Sequence, residues 1–214
     1  VLSDGFSANG PEPWRIPSMK EYPKITPPIV TRAPEGGFQP YARDEKRLAR
    51  MWALPGTKGV EHRVGGLEKD SLSGAVSHDP ENHERMVGLR AAKVARVQDF
   101  IPKQEVVGGR RGELLVVGWG GTYGHLLTAV RELQRRGEQV SLCHFNFIHP
   151  LPRGVREIFS RFRRIVVCEL NSGQFAGYLR QQFQEFEFLQ YNKIQGLPFT
   201  VTELGDEFAR LLKS

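Results

Sequence analysis

The chain has 214 residues, 39% of them apolar and 25% charged, with a formal net charge of +6. That size and composition suit a soluble globular protein with one good core plus extra material, and no apolar run approaches the roughly 20 residues of a membrane-spanning helix. Residues 1–112 hold 18 basic and 14 acidic side chains and residues 113–214 hold 12 and 10, so neither half is a basic block of the kind that grips nucleic acid.

The chain opens at Val1 rather than Met, and Val1-Leu2-Ser3-Asp4 reads like the end of a buried strand. The expectation is a piece of a longer protein, without a signal peptide. Residues 1–60 carry nine of the fourteen prolines, in PEPWRIPS, YPKITPPI and ALPGTKG, which exclude long helices and central strands. Trp14, Tyr22, Phe38, Tyr41 and Trp52 give this lead-in apolar anchors, so it is expected to lie along another protein surface. Arg43–Trp52 could form one short helix. Residues 60–79 are glycine-rich and mixed in charge, and read as an ordered loop with room for a short hairpin.

Asp79-Pro80-Glu81 is a helix start: Asp79 can cap, Pro80 suits the first helical position, and Glu81 favours the positive helix end. The helix is expected to run to about Gln98, with Pro102 beyond it. Val87, Ala91, Val94, Val97 and Ile101 make an apolar stripe at helical spacing.

From Lys103 the pattern becomes alternating strands and helices. Gln104–Val107 reads as a short strand ended by Gly108-Gly109. Leu114–Trp119 is a continuous apolar run rich in β-branched residues, as in a strand buried on both faces. Thr122–Arg136 follows as a helix. Then come a strand at Val140–Phe147, a helix at Arg153–Phe162, a strand at Arg164–Leu170, a helix at Gln174–Phe183 and a strand at Phe186–Gln190. Thr200-Val201-Thr202-Glu203 has capping-box spacing and opens a last helix to Leu212. Such alternation with short loops implies a largely parallel sheet with helices on both faces. The expected divisions are a lead-in over 1–79, a connecting helix over 80–102 and an α/β domain over 103–214.

GWGGTYG stands where a strand-to-helix turn could cradle phosphate on a helix N-terminus. The dinucleotide fingerprint wants glycines at its first, third and sixth places. Gly118 and Gly120 fit, but Tyr123 occupies the sixth, and the next strand ends in Phe145-Asn146-Phe147 without the expected acid. A tight turn without nucleotide, with Thr122 as a helix cap, is the preferred reading. A free-standing nucleotide-binding domain is the alternative.

Cys143, His144, His149 and Cys168 show no metal-ligand spacing, and the two cysteines read as buried free thiols. His62, His78 and His83 are either polar surface and capping groups or ligand contacts. Glu169 and Asn171 follow a buried strand at the sheet edge where open α/β folds bind ligands; they either bind something or cap the next helix. Arg153, Arg156, Arg161, Arg163 and Arg164 are either a solvated helix face or an anion or partner site.

Taken together, GGLEKDSLSG, SHDPENHERMVGLRAAKVARV, ELLVVGWGGTYG, HPLP, CELNSGQ and YNKIQGLPFTVTEL resemble the alpha subunit of 2-oxoacid:ferredoxin oxidoreductases, nearest the 2-oxoglutarate type, over almost the whole chain. The resemblance implies that Leu2–Trp14 is the exit from a thiamine-binding pyrimidine domain. It also implies that residues from about Lys103 form a transketolase C-terminal-like α/β/α domain. The sheet of that domain has five strands in the order 1-3-2-4-5, the first antiparallel and supplied by Gln104–Val107.

The implied reaction is oxidative decarboxylation of a 2-oxoacid to its acyl-coenzyme A, with electrons passed to ferredoxin. The parent complex uses thiamine diphosphate, coenzyme A and an iron–sulfur cluster, and includes a beta subunit. The family's thiamine motifs and cluster cysteines do not occur here, so this chain is expected to hold no cofactor, no metal and no catalytic residue, and to be inactive alone. Its expected role is subunit assembly in a cytoplasmic hetero-oligomer, with no nucleic acid and no membrane. The Gly65–Gly74 loop is the candidate for reaching the active-site side, with Gly66, Glu68, Asp70 and His83 as contact residues.

Overall fold

A computed structural model describes residues 15–213; the expected strand end at Val1–Asp4, the domain exit at Leu2–Trp14 and the anchor Trp14 lie outside them. The described residues divide between Phe100 and Ile101 into two compact units.

In the first unit, β1 (Ile29–Val30) and β2 (Trp52–Ala53) form a two-stranded parallel pair. The short helix expected at Arg43–Trp52 does not form. The Asp44 carboxylate accepts from the Arg47 and Ala49 amides, Leu48 takes φ +54°, and an antiparallel bridge joins Arg43 to Arg50. An aspartate that captures nearby amides offers the backbone an alternative to the helix ladder. A second tight hairpin, bridged from Lys69 to Val76, turns at Asp70. Asp70 Oδ1 accepts from the amides of Leu72 and Ser73 and from the Ser73 hydroxyl, which hold its carboxyl down at about 2.

Helix α1 (Pro80–Arg96) starts as the sequence dictates, with Asp79 accepting from the Glu81 amide and Pro80 in the first turn. Its apolar stripe, however, faces outward: Val87, Val94 and Val97 are all more than 40% exposed. The reason is the polar face. Buried Asn82 accepts from the Ser71 amide and donates to the Lys69 carbonyl, and Met86 is buried one turn on. These contacts fix the Asn82–Met86 side of the helix against the second hairpin.

In the second unit, four strands form one wholly parallel sheet. They are β3 (Gly112–Trp119), β4 (Val140–Phe145), β5 (Phe162–Glu169) and β6 (Phe188–Asn192), in the order β4-β3-β5-β6. The helices between and after them are α2 (Tyr123–Arg135), α3 (Val155–Phe159), α4 (Gln174–Gln182) and α5 (Val201–Lys213). The expected first strand at Gln104–Val107 shrinks to one antiparallel bridge, in which Val107 and Leu142 exchange backbone hydrogen bonds at the outer edge of β4. Gly108 follows at φ +112°, a conformation that suits glycine and turns the chain off the sheet after one pair. Position and direction are those expected; the strand itself is not formed.

The alternation of side chains across the strands builds two cores. Leu115, Val117, Cys143, Phe145, Ile165 and Val167 pack against α3 and α4. Leu114, Val116, Leu142, Val166 and Cys168 pack against α2 and α5. Helices therefore cover both faces, which is why β3 and β5 carry apolar runs instead of an alternating pattern. The capping box at Thr200 forms reciprocally: the Glu203 amide donates to Thr200 Oγ1 and the Thr200 amide to Glu203 Oε1. Lys193 Nζ, 2.8 Å from Glu203 Oε1, ties β6 to this helix start.

Candidate functional site

Open parallel sheets bind ligands where neighbouring strands send their connections to opposite faces. Here that crevice lies between the carboxyl ends of β3 and β5, because α2 follows β3 on one face and α4 follows β5 on the other. The chain fills it with its own side chains. Glu169 is fully buried; its Oε1 accepts from the Phe175 amide at 2.9 Å and from Trp119 Nε1 at 3.1 Å, and its Oε2 accepts from the Ala176 amide at 2.9 Å. Asn171 Oδ1 takes the amides of Gly173 and Gln174. The positive end of α4, where an anion would sit, thus already carries a carboxylate. Of the two readings of Glu169 and Asn171, capping is the one formed.

The glycine turn is a packing device. A Cβ on Gly118 would lie 2.2 Å from Leu126 Cδ1 and 2.8 Å from Thr122 Oγ1. Glycine lets α2 press directly on β3. Thr122 stands at the expected N-cap position of α2, but its hydroxyl, instead of accepting from the helix, donates to the Trp119 carbonyl at 2.8 Å and holds the turn closed.

The cysteines are both buried and free, and burial pushes both thiols up. They belong to opposite cores of the sheet, so they do not fit a shared iron–sulfur cluster. His144 sits edge-on to Tyr123, and His149 Nδ1 meets the Tyr178 hydroxyl at 3.0 Å. The basic run is largely spent within the unit. Arg156 pairs with Glu185, Arg163 with Glu113 at 3.2 Å, and Arg164 donates to the Leu211 carbonyl.

The Gly65–Gly74 loop, in the first unit, brings Glu68 to His83 and leaves Asp70 apart in its own turn. Glu68 lies beside α1, its Oε2 2.8 Å from His83 Nδ1, and Arg90 reaches both its oxygens at 3.2 and 3.3 Å. These partners, Arg90 first, lower the Glu68 carboxyl to about 2. Gly66 is bare backbone, with open space where a side chain would project. Asp70 is taken up by its turn and His83 by Glu68; His62 Nδ1 meets the Val60 carbonyl.

Around this loop lie cations that no sequence motif joins. Tyr41, Arg43, Leu48, Arg50, Lys69, Met86, Leu89 and Lys93 join Gly65–Glu68 and Arg90 around a groove of about 560 Å3. These cations are scattered over 50 residues, so no local motif marks them.

The Glu68 contacts set a pH dependence. The carboxyl is lowered on folding from 4.5 to about 2, so its stabilising contribution is full above pH 4.5 and is lost as pH falls through that window toward 2. Amide exchange across residues 65–77 should therefore accelerate between pH 4.5 and 3 relative to intrinsic rates, and Glu68→Gln should remove most of that change. An unaltered profile in the variant would show that the contacts do not hold the hairpin.

Three comparisons place the chain among known proteins. No protein-family model matches it. Its structure superposes on a 2-oxoglutarate:ferredoxin oxidoreductase from Magnetococcus marinus, solved with 2-oxoglutarate, coenzyme A and succinyl-CoA bound, with a TM-score of 0.83 and 25% identity over 92% of this chain and 34% of that one. The fold is thus one found within a 2-oxoacid oxidoreductase.

In sequence it is 42% identical over 206 residues to the 2-oxoglutarate oxidoreductase subunit KorA of Mycobacterium tuberculosis, covering 96% of this chain and 31% of the relative. It is 28% identical over 176 residues to the alpha subunit of 2-oxoacid:ferredoxin oxidoreductase 1 of Aeropyrum pernix, covering 79% of this chain and 27% of that relative. These relatives are a subunit of a 2-oxoglutarate oxidoreductase and the alpha subunit of a 2-oxoacid:ferredoxin oxidoreductase, the kind of protein its motifs resemble, and the chain spans less than a third of their length. Among the described residues no helix is long and apolar enough to cross a membrane.

Proposed function

We propose that this chain serves as the assembly part of the alpha subunit of a 2-oxoglutarate:ferredoxin oxidoreductase, combining a transketolase C-terminal-like domain with a second, smaller unit that precedes it. The parent complex converts a 2-oxoacid and coenzyme A to acyl-coenzyme A and carbon dioxide, and passes two electrons to ferredoxin. Thiamine diphosphate and the iron–sulfur cluster sit on the rest of that cytoplasmic hetero-oligomer, which includes a beta subunit. The chain's own side chains make no bond in the reaction.

The observation that carries this reading is the meagre core of residues 15–100. Val30, Val60 and Met86 are its buried apolar side chains, while Ile25, Trp52, Val87, Val94, Val97 and Phe100 are exposed. A segment with so little buried surface gains little from folding on itself, and exposed apolar area on this scale marks a face for another protein.

The test is to produce the chain together with the remaining alpha polypeptide and the beta subunit. Val87→Asp with Val94→Asp changes two exposed positions, so helix content by circular dichroism should not change. The double variant should lose co-purification and at least about tenfold of the 2-oxoglutarate-dependent ferredoxin reduction, equivalent to ~1.4 kcal/mol at the interface. A double variant that assembles and turns over like its parent would sink the proposal.

A further inference from the structure

The groove around the Gly65–Gly74 loop holds five cationic side chains, Arg43, Arg50, Lys69, Arg90 and Lys93, against one carboxylate, Glu68. Two of the cations are held by neutral acceptors. Lys69 is 2% exposed, and its ammonium donates to the carbonyls of Gly65 at 3.1 Å and Leu67 at 2.7 Å. Arg43 donates to the carbonyl of Tyr41 at 2.9 Å, more distantly to that of Ser71, and to the Met86 sulfur. Arg50 lies over the Tyr41 ring, 4.1 Å from its centroid. Among the described residues, Arg90 alone of these five meets a carboxylate, and it shares Glu68 with His83.

A buried ammonium facing carbonyls alone leaves its charge uncompensated in a low-dielectric setting, which costs free energy unless an anion approaches. Crowding of like charges acts the same way: burial and then Arg50 push the Arg43 guanidinium below its ordinary value. The glycine pair leaves the backbone at Gly66 open on the rim. A groove of about 560 Å3 is within the range for small-molecule sites, and is concave where a protein partner would meet a flatter face.

We propose that this groove binds a small phosphate-bearing anion, with Lys69 and Arg43 as its fixed positive floor and Arg50, Arg90 and Lys93 closing on the phosphates. Guanidinium groups match phosphate oxygens bidentately and the lysines act as point charges. The site is separate from the crevice plugged by Glu169, and it does not depend on the oxidoreductase reading.

Calorimetry on the 214-residue chain at low salt tests it, with inorganic pyrophosphate, ADP and an oligoglutamate peptide as probes. Saturable binding of pyrophosphate or ADP is expected, weakening as salt rises. ADP binding more tightly than pyrophosphate assigns a nucleotide; equal affinities assign the free anion; either result supports the site. Arg50→Gln with Lys93→Gln, both at exposed positions, should weaken binding about tenfold or more. Arg135→Gln, at the end of α2, should leave it unchanged. The proposal is overturned if a chain whose residues 65–77 are protected from amide exchange gives no heat with either phosphate probe. It is also overturned if the Arg135 variant loses as much affinity as the groove variant, or if the glutamate peptide binds more tightly than both phosphates.

Discussion

Glu169→Ala is expected to destabilise the C-terminal unit by about 3–5 kcal/mol, because it strands three donors at once. The Phe175 and Ala176 amides and the Trp119 indole N–H all point at one carboxylate that is fully removed from solvent. Each buried donor left without an acceptor costs about 1–3 kcal/mol. Glu169→Gln keeps the shape but turns an N–H toward one of the same donors, so it should fall between, at about 2 kcal/mol. Trp119 is the one tryptophan in residues 101–213. With Trp14 and Trp52 replaced by phenylalanine, its emission reports this unit's unfolding in denaturant, and the midpoint should drop with the slope unchanged. A Glu169→Ala protein within ~1 kcal/mol of the parent would mean that water replaces the carboxylate. The plugged crevice would then be open to ligands after all.

Gly118→Val should be as damaging, at about 3 kcal/mol or more, and Gly118→Ala somewhat less. The added carbon would lie 2.2 Å from a Leu126 methyl and 2.8 Å from the Thr122 hydroxyl, both buried. To make room, α2 must lift off β3, or Thr122 must give up its 2.8 Å hydrogen bond to the Trp119 carbonyl. Two readings of GWGGTYG separate here. If the glycine serves packing, the loss appears as stability measured without ligand, by thermal or denaturant unfolding. If it serves a phosphate, Gly118→Ala leaves stability within ~0.5 kcal/mol and removes nucleotide binding instead. The glutamate already seated at the α4 N-terminus favours the first outcome.

The two predictions bear on one crevice, where the sheet sets its own side chains at the place that nucleotide-binding folds leave to a ligand. The side chains that fill it, Trp119 and Glu169, each stand at the end of a strand whose apolar run is plain in the sequence. Their meeting is not plain, since 50 residues separate them. The same limit applies to Asn82. As a polar residue in the first turn of α1 it gave no sign of being the buried contact, and the apolar stripe of Val87 and Val94 gave a misleading one. In an isolated helix that stripe would define the core face; here two hydrogen bonds from Asn82 to the neighbouring hairpin override it.

Local rules thus decided most of the strands and helices of the second unit, where α1 and α5 begin, and that the sheet is buried on both faces. They suffice because hydrophobic periodicity, caps and glycine turns act over a few residues. Tertiary structure alone decided that Gln104–Val107 pairs through a single bridge, that Arg43–Arg50 closes as a hairpin, and that Glu169 fills the crevice. It also brought Arg43, Arg50, Lys69, Arg90 and Lys93 around one groove. These outcomes turn on the desolvation of polar groups brought together from distant parts of the chain, and that cost is set only once the fold has fixed which atoms lose water.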